Sequence, residues 1–258
     1  MSARSLIDRI STTRTMARLA RTAPDTGVEP STVVVLPLDE RTRTSPVAAA
    51  TAIIADAILP HPVAVIDLDG AAQPMRGLLG SPEAGDLVGL SVSVEAGQGR
   101  RAVEDFVDMN ATVPLASTWI RGAGALPPET VRDGVWRLKR RFPSVIIDVP
   151  VTVPPETIAH ATSLATHVVL VTDQHGVAHD WLHSGQSLLS GLARAGRITV
   201  AVIGGTEKDR TRCPHGDIVP LGDALTSTYD KGRMALTATT PGLLAPVYEL
   251  TTRAFTRR

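Results

Sequence analysis

The chain has one cysteine, Cys213, and only 3% aromatic residues among 258. A lone cysteine excludes an internal disulfide and any multi-cysteine metal cage, so the chain does not read as a small stapled secreted module; a reducing cytoplasm is the expected location. No stretch approaches 18 consecutive apolar residues and the first thirty contain no apolar h-region, so neither a membrane-spanning helix nor a secretory signal is expected. Charge of one sign is missing as well. The 26 basic and 26 acidic residues cancel, which removes the electrostatic footprint of a nucleic-acid binder and of an acidic tail; no sequence-specific nucleic-acid partner is expected. Glycine-centred signatures are absent too. No G-x-S-x-G elbow marks a serine hydrolase, and no G-x-G-x-x-G marks a dinucleotide enzyme.

What is present is Val, Ile, Leu and Ala, the residues that fill buried parallel strands and close helix packing. From Thr32 onward short apolar runs alternate with longer amphipathic segments. Residues Thr32–Leu36, Val63–Ile66, Val113–Ala116, Val145–Val149, His167–Val171 and Ile198–Ile203 read as strands. Residues Pro46–Ile58, Gly99–Asp108, Pro128–Arg140, Pro154–Ala165 and Val177–Ala195 read as helices. Strand and helix in turn predict right-handed βαβ units: a three-layer α/β/α domain with a mostly parallel sheet, spanning residues 31–258. Residues 1–30 read as a separate basic arm, with Arg4, Arg9, Arg14, Arg18 and Arg21 against Asp8, Asp25 and Glu29. Leu6, Ile7, Ile10 and Ala17 can share a helical face there, so the arm is either a frayed or docked extension or a peripheral membrane contact. The Gly- and Pro-rich stretch Thr211–Gly222 reads as a surface loop.

Ligands of open α/β sheets sit outside the carboxyl ends of the strands. Three acids fall there: Asp67 and Asp69 in Val-Ile-Asp-Leu-Asp-Gly, and Asp148 in Val-Ile-Ile-Asp-Val-Pro. Such carboxylates suit a nucleotide-bound magnesium ion, or they cap the turns that follow their strands. Asp67-Leu68-Asp69 and Asp148-Val149-Pro150, with Ile218-Val219-Pro220, Tyr229-Asp230-Lys231-Gly232 and a last helix carrying Val247, Tyr248 and Leu250, make the chain after Ser31 resemble the ParA/MinD family of P-loop ATPases. In that family the first strand leads into K-G-G-x-G-K-[ST], the second ends in D-x-D and a later one in D-x-P-P. The resemblance implies a P-loop NTPase-like fold, acids that organise magnesium and attacking water, and dimers that close face to face around ATP.

The phosphate-binding loop departs from that pattern. Its positions fall on Asp39, Glu40, Arg41, Thr42, Arg43, Thr44 and Ser45, of which only the final hydroxyl, Ser45, is kept. A phosphate cradle needs glycines because its N–H groups approach the oxygens in conformations that a Cβ resists, and none remains. The two lysines of the family are Thr44 and Asp39 here. Ser45 followed by Pro46 reads as a helix start, with the hydroxyl capping free N–H groups. The asparagine that the family places after a late strand to read adenine is also missing, since Gly204 and Gly205 follow Ile203. The expectation is therefore a ParA/MinD-like pseudo-ATPase without a cofactor. It would act as an interaction, positioning or regulatory module of a bacterial partition, division, secretion or conjugation system, with a homodimer mate or an active relative as its protein partner. The alternative is an ATPase with an unorthodox loop that holds ATP and magnesium through Arg41, Arg43, Ser45 and the three acids.

A second alternative is metal binding by His175, His179 and His183, whose four-residue spacing can place imidazoles on one helical face. Trp119, Trp136 and Trp181 are too scattered for a base-stacking platform and read as core or groove packing. The apolar last segment reads as a helix docked on the core, with a membrane anchor as the alternative.

Overall fold

A computed structural model describes residues 29–81, 85–92, 101–119, 122–173, 181–212, 217–223, 225, 234 and 241–256. The basic arm lies almost wholly outside these residues, as do His175, His179, Cys213 and the segment 229–232. Seven strands form one all-parallel sheet in the order β3-β2-β4-β1-β5-β6-β7. They are β1 (Thr32–Pro37), β2 (Val63–Asp67), β3 (Leu115–Ala116), β4 (Ser144–Asp148), β5 (His167–Asp173), β6 (Ile198–Ile203) and β7 (Ile218–Gly222).

Strand residues are apolar on both sides because both faces of the sheet are covered. Val33 and Val35 face one layer, while Val34 and Leu36 face the other. The first layer holds α1 (Ser45–Ile58), α2 (Pro74–Leu79) and α9 (Pro241–Phe255). The second holds α3 (Leu87–Val92), α4 (Pro128–Leu138), α5 (Pro155–Leu164), α6 (Trp181–Ser184) and α7 (Leu188–Arg194). A short helix α8 (Glu207–Arg212) precedes β7. The three-layer α/β/α architecture expected from the sequence is thus present. The last segment is a docked helix: Val247, Leu250 and Phe255 are buried, and Glu249 receives Arg210 from α8 and Arg253 one turn on. No described helix is long and apolar enough to cross a membrane.

Several elements differ from the reading of the sequence. Residues Gly99–Asp108 are not a helix over their described part but a single 3₁₀ turn, Val103–Phe106, followed by a bridge from Asp108 to Leu115. The strand at Val113–Ala116 is reduced to Leu115–Ala116, because Pro114 has no N–H to give, although its carbonyl still accepts from Val65 at 2.8 Å. Within Val177–Ala195 the described part is two helices. The first helix ends at Ser184, and Ser187 starts α7 by accepting the Ser190 N–H at 3.1 Å. Ile218–Gly222 is a strand and not a loop; Pro220 hid it, being tolerated in a strand with only one described neighbour. Trp119 and Trp136 are exposed rather than packed.

Candidate functional site

The carboxyl ends of β1, β2, β4 and β5 meet at one rim. β1 is the strand with β4 on one side and β5 on the other, and its chain leaves through residues 38–44 into α1. The register sets Asp67 directly opposite Asp148 on neighbouring strands, with Val35 of β1 on the other side of Asp148. All three acids are buried; Asp67 and Asp148 are 0% exposed.

Their roles differ. Asp67 is committed to backbone, with Oδ1 accepting the Asp69 N–H at 2.8 Å and Oδ2 the Met75 N–H at 3.2 Å. Asp69 is committed likewise, its Oδ1 accepting from Ala71 and Ala72 at 3.0 and 2.8 Å. Both therefore cap the turn into α2. Asp148 is different. Its Oδ1 accepts the Thr44 hydroxyl at 2.6 Å, and its buried Oδ2 has no hydrogen-bond partner. Burial pushes the Asp148 carboxyl up to about 6, with the nearby Asp69 charge adding to it and the Ser45 and Thr44 hydroxyls opposing it. Burial, then repulsion from Asp148, also raises Asp67 well above the usual carboxylate range.

The loop itself is tightened from within. Asp39 Oδ1 accepts the Arg41 N–H at 2.9 Å, and Oδ2 accepts the hydroxyls of Thr42 at 2.8 Å and of Thr172, on β5, at 3.3 Å. The Leu38 N–H reaches the Val171 carbonyl at 2.8 Å, so the loop is bonded to β5 at two points. Glu40, Arg41 and Arg43 are exposed. The expected helix start is present, with α1 beginning at Ser45 and Pro46 in its first turn, but no side chain caps it. The Thr44 hydroxyl instead donates to the buried Asp148 carboxylate, a charge-assisted bond. In the sequence Thr44 marks only the place of a lost lysine and nothing singles out Thr172; only the fold brings Thr44 to Asp148, 104 residues away.

After β6, Gly204 adopts a positive φ of 71° and its N–H bonds the Gly222 carbonyl at 3.0 Å, so this corner is used to join β6 to the end of β7. The histidine cluster is not assembled among the described residues: His175 and His179 lie outside them, and no described group of three His, Cys, Asp or Glu residues is placed to hold a metal ion.

The donor set nonetheless fits one kind of cation. Magnesium is held by one or two carboxylates together with the oxygens of a phosphate ligand and water, not by a protein cage. A buried carboxylate with one free oxygen, beside two hydroxyls at the first turn of a 14-residue helix, matches that division of labour.

No protein-family model matches the chain, and no curated protein matches it in sequence. Solved structures do match in fold. A ParA family ATPase from Chlorobium tepidum superposes with a TM-score of 0.62 at 14% identity, over 86% of this chain and 98% of that one. MinD of Pyrococcus horikoshii, the septum site-determining protein complexed with Mg-ADP, gives 0.59 at 16% identity over 85% and 95%. The MinC:MinD cell division complex of Aquifex aeolicus gives 0.58 at 15% identity over 86% and 94%. The fold is thus of the P-loop NTPase class. Within that class the architecture is that of the ParA and MinD ATPases. The expectation that no cofactor is used is corrected by the same comparison, since this fold is seen around Mg-ADP in one of these structures and belongs to an ATPase in another.

Proposed function

We propose that the chain is a ParA/MinD-like positioning or interaction module that takes a magnesium nucleotide at the β1–β4 rim and turns it over slowly or not at all. The observation that carries this reading is the Thr44–Asp148 pair with the unpartnered Asp148 Oδ2, a place for a cation brought by a phosphate ligand. Asp148, Thr44 and Ser45 would hold the metal, and α1 would turn its positive end to the phosphate. The ion would supply neutralisation of phosphate charge. Slow turnover is supported by the loop: residues 38–44 contain neither lysine nor glycine, and Asp39 and Glu40 offset the charges of Arg41 and Arg43, so the loop brings no net positive charge to a phosphoryl group. Asp67 and Asp69, tied to backbone N–H groups, shape the rim and orient α2.

Protein partners follow from the same reading. A nucleotide site without rapid chemistry acts by favouring one conformation, and the differential affinity of a partner for that conformation is its output. Bacterial partition, division, secretion or conjugation machinery is the setting, in line with the division proteins that share the fold.

Calorimetry of the full chain with magnesium and AMPPNP, beside a phosphate-release assay with ATP, tests the proposal. Saturable, magnesium-dependent binding that is lost in Asp148→Asn, with no phosphate release above background, is the expected result. Steady release that disappears in Asp148→Ala would replace it with a working ATPase, and no binding at millimolar nucleotide would overturn it.

A further inference from the structure

We propose that Asp39 is a built-in anion that competes with phosphate for the loop between β1 and α1, so that this residue sets how tightly the site takes a phosphate-bearing ligand. The inference rests on the nucleotide reading above and adds a specificity-determining residue to it.

Both oxygens of Asp39 are engaged, and by the kinds of donor that phosphate oxygens use: one backbone N–H, from Arg41, the Thr42 hydroxyl, and the Thr172 hydroxyl, whose proton is shared with the Asp173 carbonyl at the same 3.3 Å. The donors come from two elements. Arg41 and Thr42 belong to the loop, while Thr172 is a fully buried residue near the end of β5. The carboxylate thus does what a bound anion would do in an α/β loop, gathering donors and fastening the loop to the sheet. Burial works against its ionisation, but the hydrogen bonds from Thr42, Arg41 and Thr172 outweigh it, and Asp39 titrates below the usual carboxylate range. The side chain is therefore an anion at neutral pH.

An incoming phosphate meets this anion in two ways. The loop donors are already occupied, and a second negative charge within a few ångströms is repelled at low effective dielectric. Glu40 follows immediately and is exposed, so the loop carries two consecutive acids. A mere loop cap, by contrast, would favour binding by keeping the loop ordered, and its removal would weaken the site.

The sign of the effect separates these accounts. Asp39→Asn keeps the size and one acceptor oxygen but removes the charge. Asp39→Glu keeps the charge and displaces it by one methylene. The full chain and both variants are titrated by calorimetry with Mg-AMPPNP and with magnesium tripolyphosphate, which lacks base and sugar. Asp39→Asn is expected to bind both probes at least tenfold more tightly than the wild type, and Asp39→Glu no more tightly. Asp39→Ser, also neutral, carries the same expectation if the asparagine variant does not fold. Binding to wild type that the neutral variants leave unchanged or weaken overturns the role of Asp39 alone. If no protein binds either probe, the nucleotide reading falls and the Asp39 inference with it.

Discussion

The Thr44 hydroxyl donates to the Asp148 carboxylate across 2.6 Å, joining the loop that leaves β1 to the carboxyl end of β4. The bond is buried and links residues 104 positions apart. A charge-assisted bond of this kind is worth more than a neutral one, and losing its donor leaves a buried acceptor unmet.

Thr44→Val, which keeps the shape and removes the hydroxyl, should therefore cost about 1–3 kcal/mol of stability. Urea unfolding at pH 7.5 measures it. Thr42→Val, which removes a donor to the half-exposed Asp39, should cost less.

Asp148 makes stability depend on pH. Its carboxyl holds a proton up to about 6 in the folded chain, against an ordinary 3.8, so the folded state binds more protons between those values and stability falls as pH rises from about 4 to about 6. Asp148→Asn removes that fall. The variant should exceed the wild type by on the order of 2 kcal/mol at pH 8 and approach it near pH 4. Because Asp67 is raised in the same direction, some slope should remain. A pH series of chemical denaturation curves is the check, and a wild type that is most stable at pH 8 would contradict it.

Gly70 tests the packing of the rim. Its N–H and carbonyl lie in the turn after Asp69, where the Ala123 N–H bonds the Gly70 carbonyl at 3.0 Å, and a Cβ at Gly70 would fall 2.0 Å from the Gly124 carbonyl oxygen. Backbone would have to move. Gly70→Ala should lose about 1–3 kcal/mol, whereas Gly191→Ala in α7, with nothing within 4 Å of its Cβ position, should gain about 0.5–1 kcal/mol. Thermal melts of the two variants should move in opposite directions.

Glu249 binds α9 to α8 through Arg210 at 2.5 and 2.9 Å and is met by Arg253 at 2.8 Å. Three partly buried charges in a bidentate network exceed an isolated surface pair. Glu249→Gln should cost about 1 kcal/mol in 0.1 M salt and clearly less in 1 M salt. An equal cost at both ionic strengths would show that packing, not charge, is what the glutamate provides.

The layers and most of the sheet were legible because Val-rich strands and amphipathic helices carry their own periods. What escaped had local chemistry that contradicts its setting. Pro220 sits in a strand, Pro114 shortens another, and Ser187 begins a helix inside a stretch that reads as one continuous element. At the rim the three acids were legible as strand ends, yet their division of labour was not. Asp67 and Asp69 spend their oxygens on N–H groups up to eight residues away, whereas Asp148 depends on a threonine that only the β1–β4 pairing brings near. The change of the loop's glycines and lysines was plain from the residues. That Asp39 would turn inward to Thr172, 133 residues later, needed the β1–β5 register.

The place of β1 in the middle of the sheet also governs how the chain is born. Its described partners are Val145–Asp148 and His167–Val171, so this sticky Thr-Val-Val-Val-Leu-Pro segment leaves the ribosome long before either exists. At about 5–20 residues per second that interval is on the order of ten seconds. During it, a bare, strand-prone segment is open to mispairing, which a chaperone would prevent.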